Sequence, residues 1–123
     1  MKNNSSNVRS LGLEVTRKFG LNECLLCAQE LKARLRAVGK KGRILKLATK
    51  GGRGFIVMKD PSFALPFQTS GDEAISTTGL HFGVQVGDFV FDNVHREGIE
   101  FNRWSDSFDC DVHRFEITEV DVF

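Results

Sequence analysis

A change of period at Gly39-Lys40-Lys41-Gly42 constrains this chain more than any other feature: apolar residues before it recur every three or four positions, and after it they alternate. Val8, Leu11, Val15 and Phe19 fall at helical spacing with Gly20 as a stop, which predicts a first short helix. Asn22 is placed to cap a second helix whose apolar face reads Cys24, Ala28, Leu31, Leu35 and Val38, with Gly39 as its C-terminal signal. Lys32, Arg34, Arg36, Lys40 and Lys41 gather toward its end, forming a solvated face that suits the helix dipole. Strands are predicted over residues 43–48, 55–59, 82–86 and 89–93, with an alternating C-terminal run at 113–122. Helices followed by an antiparallel sheet make the α+β pattern.

The glycine cluster Lys50-Gly51-Gly52-Arg53-Gly54 precedes a strand rather than a helix, so it reads as a hairpin turn and not as a phosphate-binding loop. Residues 60–79 hold both prolines and form a long loop of the kind that often carries function. Gly87-Asp88 is a two-residue hairpin loop, which sets the register: Val86 faces Phe89, Val84 faces Phe91, and Gly83 faces Asp92. Side chains alternate along a strand, so Phe82, Val84, Val86, Phe89 and Phe91 share an apolar face while His81, Gly83, Gln85, Val90 and Asp92 share the other. Asp92 then lies diagonally across from His81, about 7 Å away in the backbone and within reach of an imidazole–carboxylate hydrogen bond, whereas Asn93 points away. Gly83 between them leaves room for another element, expected to be the thiol-bearing helix.

The 123 residues suffice for one domain, read as a disordered polar segment at 1–7 and a single domain at 8–123. A net charge of +1 creates no strong field toward nucleic acid or anionic membrane, and neither is expected as a partner. No stretch approaches the roughly 18 apolar residues of a membrane span, and the N-terminus lacks the apolar core of a Sec signal. Three cysteines, an odd count, fit a reducing compartment, so the protein is expected to be cytoplasmic as produced, with any delivery to a target cell by a route without a Sec signal.

Thiol, imidazole and carboxylate in one chain are the parts of a nucleophilic thiol site. Cys24 and Cys27 both fall near the start of the second helix, where the dipole favours thiolate. Cys24 lies on the apolar stripe, and Cys27 beside it, better placed to look out of the core. His81 would serve as base and Asp92 as its orienting acid, with His95 close enough in sequence to compete for Asp92 but read as exposed on the turn. Two alternatives use the same residues. Cys24-Leu25-Leu26-Cys27 with Cys110-Asp111-Val112-His113 could hold zinc as a Cys₃His site, although two leucines within a helix are poor company for a zinc-binding pair. A degenerate site would leave a protein-interaction module, with Phe63, Leu65 and Phe67 of the long loop as its contact surface. The segment around Trp104 is a further candidate for shaping a cleft.

The stretch Asn22-Glu23-Cys24-Leu25-Leu26-Cys27-Ala28, followed by Leu31, Leu35 and Gly39-Lys40-Lys41-Gly42, resembles the bacterial papain fold toxin 2 family. So do Ala74-Ile75-Ser76-Thr77-Thr78-Gly79-Leu80-His81-Phe82-Gly83-Val84 and Phe91-Asp92-Asn93-Val94-His95-Arg96-Glu97-Gly98-Ile99 with Trp104 beyond. The spacing is also similar to that of NlpC-type peptidases, where counting back from the glycine after the helix selects Cys27, and where His81-Phe82-Gly83-Val84 matches the histidine-bearing strand. The resemblance implies a papain-like helix packed on an antiparallel sheet and a cysteine peptidase-like hydrolase or acyl transferase with a Cys27, His81, Asp92 triad and no cofactor. It further implies a toxin or effector domain acting on a protein or peptide-like amide, with an immunity or inhibitor protein as a second partner. The chain departs from papain at Leu21, which stands where a glutamine lines the oxyanion hole. Asn22 or the Cys27 backbone N–H would have to replace it.

Overall fold

Helix α1 (Asn4–Thr16) lays Val8 and Val15 against helix α2 (Cys24–Ala37), whose Ala28, Leu31 and Leu35 are buried between α1 and the sheet. The computed structural model describes residues 4–20, 23–49, 56–58, 78–110 and 114–123. Helix α1 begins inside the segment expected to be disordered, because packing of Val8 on α2 brings the preceding turn into the helix. It also ends before Gly20, winding down through Lys18 N–H to Val15 O and Phe19 N–H to Thr16 O. Helix α2 ends as its sequence predicts. Gly39 takes φ +75, the Lys40 N–H reaches Leu35 O at 2.9 Å and the Gly39 N–H reaches Arg36 O at 3.0 Å, the paired bonds of a Schellman motif. Val38, expected on the apolar face, lies past the last turn and is exposed.

Strands β1 (Arg43–Thr49), β2 (Val57–Met58), β3 (Leu80–Val86), β4 (Phe89–Phe91), β5 (Ile99–Glu100), β6 (Phe108–Asp109) and β7 (Phe115–Val122) follow, with the short helix α3 (Phe101–Trp104) between β5 and β6. Five of them form an antiparallel sheet in the order β5-β4-β3-β1-β7, and β2 pairs separately with β6. The architecture is α+β, as the change of period requires. The β3–β4 hairpin has the expected register, Val86 opposite Phe89 and Val84 opposite Phe91. Strand β4 stops at Phe91, however, so Asp92 and Asn93 belong to the turn that follows.

Both faces of the sheet are covered. Val84 and Phe91, flanked by Phe82, Val86 and Phe89, meet the two helices on one face. Leu45, Leu47 and Val90 meet Ile56, Trp104 and Phe108 on the other. A Cβ on Gly83 would lie 2.9 Å from Trp104 Cζ2 and 2.8 Å from Val90 Cγ1. The space that Gly83 leaves is therefore taken by Trp104 rather than by the thiol-bearing helix, which packs on the opposite face. Edge strand β7 is tied back by ion pairs from Arg43 to Glu119 at 3.1 Å and from Lys32 to Asp121. Among the described residues no helix is long and apolar enough to cross a membrane. Asn22, Leu21, His113, and Phe63, Leu65 and Phe67 of the long loop lie outside the described residues.

Candidate active site

Asp92 is the organising group. Its Oδ2 accepts from His81 Nε2 at 2.8 Å and from Trp104 Nε1 at 2.8 Å. Its Oδ1 accepts from the main-chain N–H groups of Val94 at 3.0 Å and His95 at 2.6 Å, and from His95 Nδ1 at 3.0 Å. Five donors thus converge on one carboxyl group that is 1% exposed, which fills the acceptor capacity of a carboxylate. Burial alone would push Asp92 up, but the charges and hydrogen bonds of His95 and His81 outweigh it and hold the carboxyl well below its usual range.

The turn that carries Asp92 is strapped to the end of α1. Thr16 Oγ1 donates to Arg96 O, Arg96 Nη2 donates to Phe19 O at 3.1 Å, and Asn93 Nδ2 donates to Gly20 O at 2.7 Å. Asn93 points away from the site, as the register implies. His95, expected to be exposed on the turn, is instead buried. Asp92 draws both its main-chain and its ring N–H inward, and Phe108 packs edge-on to its ring at 5.4 Å.

His81 is fully buried, with Phe108 at 4.9 Å between ring centroids. Since Nε2 serves Asp92, the buried Nδ1 is the nitrogen left over and makes no hydrogen bond, and the thiol whose ionisation His81 favours is Cys24. Burial would lower His81, yet the charge and hydrogen bond of Asp92, joined by Cys24, raise it from 6.5 to about 9. Burial would likewise raise Cys24, and the hydrogen bond and charge of His81, with the main-chain N–H of Phe82, bring it below its ordinary value. Each partner stabilises the charged form of the other, which favours a thiolate–imidazolium pair.

Cys27, chosen from spacing, is not among the thiols that His81 shifts. It is 1% exposed and buried in the same stripe as Cys24, Ala28, Leu31 and Leu35, because a helix face turned into a core is wider than one row of residues. Burial pushes its thiol far up, and the charges of Asp92 and Cys24 add to that. Its backbone N–H donates to Glu23 O at 2.9 Å, the first bond of α2, so it is not free for an oxyanion. Glu23 occupies the N-cap position without a side-chain capping bond. The N–H groups of Cys24, Leu25 and Leu26 precede that first bond and have no partner within the helix.

Cys110, the third cysteine, directs its Sγ–H to Arg114 O at 3.4 Å. Among the described residues no three His, Cys, Asp or Glu side chains come together as a metal-binding group. Spacing offered His95 only as an exposed competitor for Asp92 and the Trp104 segment only as a cleft-shaping one, and did not show that both donate to the Asp92 carboxylate. His95 had a local signal, its place three residues after an acid in a turn, whereas nothing near Trp104 marks it as a donor to Asp92.

A model of the papain fold toxin 2 family matches residues 7–109. The chain belongs to that family. The match takes in α1, α2, the β3–β4 hairpin, the Asp92 turn and Trp104, and ends before β7. Comparison with curated proteins and with solved structures returned no match. Membership of a papain fold toxin family accords with an α+β fold in which a cysteine-bearing helix packs on an antiparallel sheet.

Proposed function

We propose that this domain is a papain-like thiol hydrolase or acyl transferase in which Cys24 is the nucleophile, His81 the general acid–base and Asp92 the orienting acid. The observation that carries the reading is the 2.8 Å hydrogen bond from His81 Nε2 to Asp92 Oδ2, which leaves the buried His81 Nδ1 without a hydrogen-bond partner, together with the lowering of the Cys24 thiol by His81. The thiolate would attack an amide or acyl carbonyl carbon, and the C–N or C–O bond to the leaving group would break as His81 protonates it through Nδ1. Water or another acceptor would then take the acyl group from sulfur. The oxyanion would lie against the main-chain N–H of Cys24 in the first turn of α2, where the helix dipole also favours negative charge. Asp92 keeps the His81 proton on Nε2 and so leaves Nδ1 to exchange with sulfur and leaving group. The family supports a toxin or effector role, with a protein or peptide-like amide as substrate and an immunity or inhibitor protein as the partner that silences it.

Alkylation with iodoacetamide across pH, mapped by peptide mass spectrometry, tests the assignment. Cys24 is expected to be labelled at pH 6, below the range where free cysteine reacts, and His81→Ala to remove that reactivity while Cys27 and Cys110 stay unlabelled in the folded protein. Labelling of Cys27 ahead of Cys24, or of all three cysteines only near the pH of free thiol, overturns it.

A further inference from the structure

A cavity of about 480 Å³ lies at the C-terminal end of α2, walled by α1, the link from α2 to β1 and the tip of the β3–β4 hairpin. That volume is in the range of small-molecule sites. Helix α2 runs 14 residues, about 20 Å, so the cavity is remote from Cys24 at the other end. Its floor is apolar: Val8 and Phe91 are buried there, while Val86 and Phe89 are only partly covered. A Cβ on Gly39 or on Gly87 would meet nothing within 4 Å, so the mouth is open to solvent. The rim is cationic, with Arg9, Lys40 and Lys41 lining it against one acid, Asp88, among the described residues. Neither lysine has an ion pair among those residues, and Arg9 has only an exposed contact with Glu97 at 3.9 Å, of a kind that contributes little. The negative end of the α2 dipole also points here, but the Leu35 and Arg36 carbonyls are already capped by the Lys40 and Gly39 N–H groups. The field at the mouth is therefore positive.

We propose that this cavity binds a small amphipathic anion, with its apolar body on Val86, Phe89 and Phe91 and its carboxylate or phosphate head between Arg9, Lys40 and Lys41. Covering the floor removes apolar surface from water, and each methylene buried there tightens binding by about fourfold. The guanidinium of Arg9 suits a carboxylate or phosphate bidentately, and the two lysines add point charges on flexible stems. A peptide is a poorer fit, because β3 and β4 are each flanked on both sides in the sheet and offer a main chain no open edge. A second copy is disfavoured as well, since a two-fold contact through this cavity would set cations against cations. The ligand would touch segments of α1, the α2–β1 link and the hairpin, which are distant in sequence, so its binding adds to the stability of the fold. The site stands apart from the reading of Cys24 as nucleophile.

The test titrates the full chain with decanoate below its micelle concentration, following binding by calorimetry and by the ¹⁵N amide shifts of Gly39, Gly87 and Phe89. Octanoate is expected to bind about tenfold more weakly than decanoate, and decyltrimethylammonium to leave those amides unmoved. Lys40→Glu combined with Lys41→Glu should weaken decanoate binding by at least about tenfold. Decanoate should raise the melting temperature of the parent protein more than that of the double variant. Decyl phosphate separates the two head groups: whichever of the two binds more tightly assigns the head as carboxylate or phosphate, and either result supports the site. The amide mapping in the parent protein does not depend on the variant folding. Amide shifts that fall elsewhere, equal binding of decyltrimethylammonium, or unchanged affinity in a folded double variant overturns the proposal. So does binding to phosphatidylglycerol vesicles with none to monomeric decanoate or decyl phosphate. The pH midpoint of Cys24 alkylation should be the same in the double variant as in the parent, so a failure of this site and a failure of the hydrolase reading are seen separately.

Discussion

Asp92→Asn looks conservative, since an amide often serves beside a catalytic histidine, but here it should be severe. The Asp92 carboxylate receives His81 Nε2–H and Trp104 Nε1–H on one oxygen, and three N–H groups of Val94 and His95 on the other. Wherever the amide NH₂ is placed, it faces donors, and at least two N–H groups lose their acceptor. Each buried donor left unpaired costs about 1–3 kcal/mol. His81 also loses the charge that raises it from 6.5 to about 9, an effect worth roughly 3 kcal/mol at about 1.36 kcal/mol per pH unit. These contributions overlap, and breaking a buried pair from one side typically costs about 3–5 kcal/mol, a large part of the roughly 5–15 kcal/mol that holds a domain folded.

Urea unfolding followed by the fluorescence of Trp104, the single tryptophan, would read this directly. With a slope of about 1–3 kcal/mol per molar, the midpoint at pH 6 should fall by about 2 M. Because His81 is raised in the folded state, its contribution is complete below about 6.5, the unfolded value, and is lost as pH rises through about 9. The gap between parent and variant should therefore narrow at pH 10. A variant within about 0.5 kcal/mol of the parent at pH 6, with His81 still titrating near 9, would refute the account of Asp92 as an ionised hub.

Trp104→Phe removes one donor to Asp92 while keeping most of the buried ring, and is expected to cost about 1–3 kcal/mol in unfolding free energy and to slow acyl transfer. Its circular dichroism melting curve and its rate on a small activated ester would show both. Gly83→Ala would press a methyl group on Trp104 and Val90 and should cost about 1–3 kcal/mol through overpacking, with a lowered melting temperature as the measure. Turnover of the same ester should fall as pH rises through about 9, where His81 loses its proton and the thiolate–imidazolium pair is broken, whereas a rate that keeps rising would contradict that pair.

Local rules carried the sequence reading far. Alternation and a two-residue loop decide which hairpin side chains share a face, and these placed Asp92 rather than Asn93 with His81. The helix stop at Gly39 and the α+β order follow from equally short-range patterns. What those patterns left open was every choice that depends on how separate elements meet. Cys24 and Cys27 lie on one broad buried face, and only the packing of α2 on the sheet decides that His81 lowers the Cys24 thiol while burial raises that of Cys27. His95 and Trp104 join the site because Asp92, once buried, gathers N–H donors from its own turn and from a helix twelve residues on. Periodicity along a chain records which way a side chain faces, while the identity of its neighbour is set by packing between segments distant in sequence, which is why Cys24 and Cys27 look alike in the sequence and differ in their surroundings in the fold.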